Sequence, residues 1–157
     1  MTRHTLLLAL SLLLLAPHHA AAQRVGAAER AWAPFFKAFR AAVKRRDRGA
    51  LRAMMARDFY YHNSGGDENG DEDTRDEALD FWAEPRVSGW EALEKTLERG
   101  TAPNTALREP GNRRPSRVAP PAAADRRAIE SHSFEYYAVF EFRQGRWYLK
   151  TFSECCD

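Results

Sequence analysis

The feature that most constrains the fold is the alternation at the end of the chain. From Ser131 to Phe142, Phe134, Tyr136, Ala138, Phe140 and Phe142 fall on one side, and Ser133, Glu135, Tyr137, Val139 and Glu141 fall on the other. A period of two belongs to a strand with one face buried. Gln144-Gly145 supplies the turn, and Arg146 to Phe152 returns as a second strand with Trp147 and Leu149 on one face. A lone hairpin is marginal in water, so its apolar face must be covered by something else in the chain.

The opening of the chain supplies that cover. Between Arg30 and Val43, apolar residues recur at Trp32, Phe35, Phe36, Phe39, Ala42 and Val43, the spacing of a helix with one buried stripe. Lys37, Arg40, Lys44 and Arg45 fall mostly on the opposite side. Pro34 is expected in the first turn, where a missing N–H costs little. Asp47 is placed to cap a second, short helix carrying Leu51, Met54 and Met55, after which Phe59-Tyr60-Tyr61-His62 reads as a short strand.

Two Ser/Thr-x-x-Glu boxes follow, Thr74-Arg75-Asp76-Glu77 and Ser88-Gly89-Trp90-Glu91, each opening a predicted helix. The first helix carries Ala78, Phe81 and Trp82 and stops at Pro85; the second carries Trp90, Leu93 and Leu97 and ends at Gly100. Residues 101–124 hold five prolines and read as a loop, with Arg117-Val118 a candidate edge strand. Helices first and antiparallel strands last predict an α+β fold, its N-terminal helices packed on a curved, mainly antiparallel sheet.

The segment ahead of this domain reads as an export signal. Arg3 supplies a positive start, Leu6 to Ala16 an apolar run of eleven residues broken only by Ser11, and Ala20-Ala21-Ala22 a cleavage site before Gln23. Eleven apolar residues fall short of the ~20 needed to span a bilayer. The expected product is a secreted or periplasmic chain of about 135 residues, one domain in size. Cys155 and Cys156 are adjacent at the C-terminus and cannot staple distant parts of a domain, so stability has to come from burial.

Composition removes several functions. With 24 basic and 22 acidic side chains, the chain lacks the basic excess of a nucleic-acid binder. A mean hydropathy of −0.61 with four Trp, five Tyr and nine Phe suits a soluble folded protein. No Gly-x-Ser-x-Gly, His-Glu-x-x-His or phosphate loop is present.

Charge is nonetheless polarised. Residues 30–57 carry nine bases and one acid, and residues 67–80 eight acids and one base. The basic run reads either as attraction to an anionic surface or as the wet face of the first helix. Within the acidic tract Asp67, Asn69, Asp71 and Asp73 alternate, as oxygens for a hard cation do, and Ca2+ is the one cofactor the sequence offers. An EF-hand requires Gly at its sixth position and Glu at its twelfth; counted from Asp67 those places hold Glu72 and Ala78. The tract is therefore not an EF-hand, and the other reading is a solvated acidic loop whose last members, Asp76 and Glu77, favour the positive end of the following helix.

Two stretches, "FFKAFRAAVKRRDRGALRAMMARDF" from Phe35 to Phe59 and the closing "YYAVFEFRQGRWYLKTFSE", resemble the nuclear-transport-factor-2-like, cystatin-like cone superfamily, and within it the polyketide-cyclase-like branch. The first is similar to that family's opening helix, Arg-Asp break, short second helix and first strand. The second is similar to its terminal hairpin. The resemblance implies a curved sheet wrapped around helices with an open apolar hollow between them. Members use that hollow for catalysis with Asp, His or Tyr, as a ligand cavity, or as a dimer or partner surface, and a homodimer is one arrangement it allows. The Pro-rich 101–124 segment stands where two further strands of the family are expected.

Three functions follow. The first is an accessory module binding a small apolar ligand in the hollow, lined by Trp32, Phe36, Phe39, Tyr136 and Trp147. The second is a cofactor-free isomerase, cyclase or hydrolase in which His62 works with Asp58 (or Asp80) and Tyr61. The third is an interaction protein stabilised by Ca2+ at the 67–73 loop. His132, the other histidine after Gln23, is expected exposed at the start of a strand.

Overall fold

The computed structural model describes the backbone of residues 4–62 and 74–154, and the side chains of residues 23–61 and 75–153. In chain order the elements are α1 (His4–Lys44), α2 (Arg48–Met54), β1 (Met55–His62), α3 (Thr74–Phe81), α4 (Gly89–Glu98), β2 (Ala102–Pro103), β3 (Ser116–Ala119), a 3-10 turn (Pro121–Ala124), α5 (Arg126–Glu130), β4 (Tyr136–Arg143) and β5 (Arg146–Glu154). The strands form one mixed sheet in the order β1-β5-β4-β3-β2. β1 runs parallel to β5, and the other three pairings are antiparallel. The fold is α+β, with the N-terminal helices against one face of the sheet.

The stripe of α1 meets the closing hairpin as its spacing predicts. Trp32 packs edge-on to Phe140 at 5.3 Å and to Trp147 at 4.7 Å between ring centroids, and Phe39 is edge-on to Phe140 at 5.3 Å. These edge-to-face geometries suit the charge distribution of aromatic rings. The helix is longer than its apolar stripe, so Pro34 lies well inside it and not in its first turn. Pro34 and Arg30 are both exposed, which leaves the carbonyl freed by the missing N–H on the solvent side. At the far end Arg46 adopts φ +52°, and the Asp47 N–H donates to the Ala42 carbonyl at 2.9 Å, closing the helix with a left-handed residue. Asp47 then caps α2, its Oδ1 accepting from the Ala50 N–H at 3.0 Å.

A second aromatic group centres on Trp82, edge-on to Tyr61, Trp90 and Phe152 at 5.4–5.6 Å. It also sets the start of α4. Ser88 occupies the N-cap position but makes no capping hydrogen bond, contrary to the expected box. Trp82 instead lies so close to Gly89 that a Cβ there would come within 2.2 Å of its Cδ1. The side chain of Thr74 lies outside the described residues, although α3 begins at that position.

Two expectations need correcting. Residues 101–124 supply two strands, and β3 is flanked by β2 and β4, so Arg117-Val118 is interior and not an edge. The prolines bracket these strands: β3 fills the interval between Pro115 and Pro120, and Pro103 sits on the two-residue edge strand β2, where a missing donor is tolerated. In the closing region, β4 begins at Tyr136 and not at Ser131. Residues 126–130 form α5, and His132, with φ +52°, belongs to the turn after it and does not open a strand. Phe134 accordingly leaves the expected stripe and joins Val118, Ala123 and Val139 in a smaller cluster on the sheet face away from α1.

The hairpin turn is formed by Gln144 (φ +50°) and Gly145 (φ +83°), a pair of left-handed residues matched to the twist of the strands. Within the hairpin the register steps: Val139 faces Thr151 while Phe140 faces Leu149, so Lys150 is an extra residue on β5. Such a bulge reverses the alternation beyond it. Leu149 and Phe152 both reach the helix-side core, while Lys150 and Thr151 both border the opposite face.

Candidate functional site

The face of the sheet turned away from α1 carries the polar side chains. Along β4 it presents Tyr137, Val139, Glu141 and Arg143; β3 contributes Ser116, β1 contributes Asp58, and the bulge contributes Lys150 and Thr151. The connection from β2 to β3 folds over this face. It is held by the Asn104 N–H to the Ser116 carbonyl (2.9 Å), by the Leu107 N–H to Asn104 Oδ1 (2.9 Å) and by the Arg114 N–H to Asn112 Oδ1 (3.0 Å). The two side-chain turns use Asn as this residue is commonly used in loops, as a local substitute for backbone partners. Between the connection and the sheet lies a cleft of about 100 Å3.

Glu141 forms the floor of the cleft, with its side chain 5% exposed. A buried carboxylate is tolerated only when its oxygens are supplied with donors. Here Asn112 Nδ2 donates to Oε1 at 2.6 Å, and Arg143 Nε donates to Oε2 at 2.7 Å, with Arg114 Nη1 at 3.5 Å. Arg143 continues the network to Asp58, with Nη1 to Oδ1 at 2.6 Å, and Lys150 Nζ lies 3.3 Å from Asp58 Oδ2. Partial burial acts to raise the pKa of Asp58, but the Arg143 hydrogen bond and the charges of Lys150 and Arg143 outweigh it and hold the carboxyl below its ordinary value. Burial likewise acts to lower the pKa of Arg143, and its hydrogen bonds to Asp58 and Glu141 raise it above its ordinary value.

Ser116 stands directly opposite Glu141 in the β3–β4 register. Its Oγ is buried, borders the cleft and has no hydrogen-bond partner among the described residues. Both Glu141 oxygens turn to Asn112 and the arginines, and the buried hydroxyl at the cleft wall has its bonding capacity unused among the described residues.

The residues singled out from the sequence are distributed over the molecule. Asp58 belongs to the polar network. Tyr61, on the same strand, packs on Phe81, Trp82 and Phe152 on the helix side. Alternation along β1 thus turns the two to opposite faces, and they do not form a joint site. The backbone of His62 aligns with Ser153, and its side chain lies outside the described residues. Asp80 is exposed on α3 and pairs with Arg48.

Of the proposed pocket residues, Trp32, Phe36 and Phe39 gather around Phe140, with Trp147 against Trp32. Tyr136 stands apart, stacked on Phe152 at 5.6 Å and bordering a second cleft of about 100 Å3 beside α4 with Ser88, Glu91, Lys95, Arg99 and Glu135. Sequence reasoning missed Glu141, Ser116, Asn112, Arg143 and Lys150. Glu141 did carry a signal, as a carboxylate between Phe140 and Phe142; the others had none.

Asp67, Asn69, Asp71 and Asp73 lie outside the described residues, as do Cys155 and Cys156. Among the described residues no group of three or more His, Cys, Asp or Glu side chains is arranged to hold a metal ion. The opposite charges of the sequence meet instead. Arg46 pairs with Glu91, Arg48 with Asp80, and Arg52 with Asp76 in a two-point bond at 2.6 and 2.7 Å. Part of the basic run therefore ties α2 and the turn before it to α3 and α4. No described helix is long and apolar enough to cross a membrane. No protein-family model, curated protein or solved structure matches this chain.

Proposed function

We propose that the protein is an exported accessory module that binds a small molecule in the cleft on the outer face of its sheet. The observation that carries this reading is the buried Ser116 hydroxyl, without a partner among the described residues beside the buried Glu141 carboxylate. Leaving such a group unbonded costs on the order of 1–3 kcal/mol, which a ligand hydrogen bond would recover. Of the rings meant to line the helix-side hollow, Trp32, Phe36, Phe39 and Trp147 pack together with Phe140 and Tyr136 stacks elsewhere on Phe152, which favours the polar cleft over that hollow as the place for a ligand. The separation of Asp58 from Tyr61 removes support from the catalytic rival.

Export is part of the same proposal. Gln23, Arg24 and Val25 are exposed, and Ala27 and Ala28 are the first residues with described side chains to reach the core. Cleavage before Gln23 would leave the described core intact. The order of helices and strands is also compatible with the nuclear-transport-factor-2-like resemblance, which stays within the proposal.

Native mass spectrometry of the purified chain, with thermal melts against a small-metabolite panel, tests the binding reading. A bound species or a rise in melting temperature that Ser116→Ala weakens is expected. A panel without effect, or effects indifferent to that substitution, would refute it. Intact mass of the exported product tests cleavage before Gln23.

A further inference from the structure

We infer that the ligand of this cleft is a neutral, hydroxyl-rich ring of the kind found in a sugar residue; this rests on the binding reading above and specifies it. Charge is the first ground. The cleft and its rim carry Arg108, Arg114, Arg143 and Lys150 against Asp58, Glu109 and Glu141. A free anion would meet the Glu141 carboxylate at the floor, and a free cation would meet the guanidinium and ammonium groups around it. Each sign is opposed where it would have to sit, and a neutral ligand meets no such penalty.

Hydrogen-bond chemistry is the second ground. Ser116 and Glu141 are a directly opposed cross-strand pair, so their side chains are neighbours on one face. The hydroxyl can donate and accept, whereas the ionised carboxylate only accepts. Among the described residues Oε1 of Glu141 is engaged by Asn112 alone, which leaves it acceptor capacity. A ligand hydroxyl seated between the two would donate to Oε1 and accept from Ser116 Oγ–H. A protonated amine cannot accept in this way, and a phosphate cannot donate when fully ionised.

The third ground is the apolar part of the cleft. From Glu141 the floor continues along β4 to Val139 and the half-buried ring of Tyr137, which Phe134 holds edge-on at 6.5 Å. A hydroxyl-binding end followed by an apolar patch and an aromatic ring matches a pyranose, whose hydroxyls are equatorial and whose C–H groups form an apolar face. Thr151, brought to this face by the bulge, adds one more hydroxyl at the rim.

The test is a titration of the full protein, followed by 1H–15N NMR, with glucose, N-acetylglucosamine, sodium phosphate and methylammonium chloride as separate probes. The expected result is saturable shifts of the Ser116, Tyr137, Glu141 and Thr151 amides with a sugar and none with the two ions. Ser116→Ala should weaken sugar binding about tenfold, the worth of one buried hydrogen bond, with the melting temperature unchanged or raised. Phosphate or methylammonium moving the same amides as strongly as the sugars would overturn the ligand class while leaving the cleft a binding site. Silence of these amides with all four probes would overturn the cleft itself. Sugar binding that Ser116→Ala leaves intact would overturn the Ser116–Glu141 pair as the recognition element.

Discussion

The indole N–H of Trp147 donates to the carbonyl of Ala28 at 2.8 Å, joining the last strand to the opening helix across 119 residues of chain. Both residues are buried, and Ala28 is among the first described side chains of α1 to reach the core. The bond sets where along its length the helix docks. Trp147→Phe keeps an aromatic ring and removes the donor, and should cost about 1–2 kcal/mol in urea unfolding. Trp147→Ala, which also opens a cavity beside Trp32 and Phe142, should cost about 3–5 kcal/mol. A Trp147→Phe variant as stable as the parent, with Trp147→Ala still costly, would mean that packing and not the bond holds the helix.

Gly89 and Gly49 are a matched pair. A Cβ at Gly89 would meet Trp82 at 2.2 Å, whereas at Gly49 the nearest atom is Asp47 Oδ1 at 3.8 Å. Gly89→Ala should therefore destabilise by at least about 1–3 kcal/mol, since the core has no room to yield. Gly49→Ala, in the first turn of α2, should be neutral or stabilise by up to about 1 kcal/mol. Chemical denaturation of the two variants checks both signs.

Ser116→Ala removes a hydroxyl with no partner among the described residues. The unfolding free energy should stay level or rise by up to about 1 kcal/mol, the opposite of the usual cost of truncating a bonded serine. A loss of stability beyond that range would show the hydroxyl to be satisfied in solution.

The Asp58 carboxyl is held below its ordinary value by Arg143 and Lys150. Its contribution is present above the unfolded-state pKa, about 3.9, and is lost as the pH falls through the lower folded value. Asp58→Asn should flatten the stability profile below about pH 4 and lower stability at neutral pH by under about 1 kcal/mol, because the carboxylate is largely solvated. Thermal melts from pH 2.5 to 7 read this directly. A profile of unchanged slope would remove Asp58 from the acid response.

Arg52 and Asp76 form a two-point ion pair between α2 and α3, both about half exposed. A double-mutant cycle with Arg52→Gln and Asp76→Asn should give a coupling of about 0.5 kcal/mol that falls with added salt. Zero coupling at low salt would reduce the pair to a coincidence of surface charges.

Local chemistry is legible in the amino-acid order. The recurrence of Trp32, Phe35, Phe36 and Phe39 places a helix on an apolar surface, Asp47 caps α2 as its position indicates, and Gln144-Gly145 closes the hairpin. Each depends on residues within one or two turns of one another. The candidate site is far less legible. Asp58, Tyr61 and His62 are close in sequence, and that closeness suggests a site; on a strand, neighbours alternate between faces, and Asp58 and Tyr61 point apart.

By itself the sequence determined the helical stripe, the closing hairpin and the demand that they bury one another, because a period in apolar residues has few ways to be satisfied. Only the tertiary structure decided that β1 lies parallel to β5, that β3 is interior, and that Lys150 is bulged. Pairing register and strand order arise from contacts between distant segments, which no local period records. The bulge sends Lys150 and Thr151 to the face where β3 places Ser116 opposite Glu141. There the four residues line the cleft that the β2–β3 connection covers.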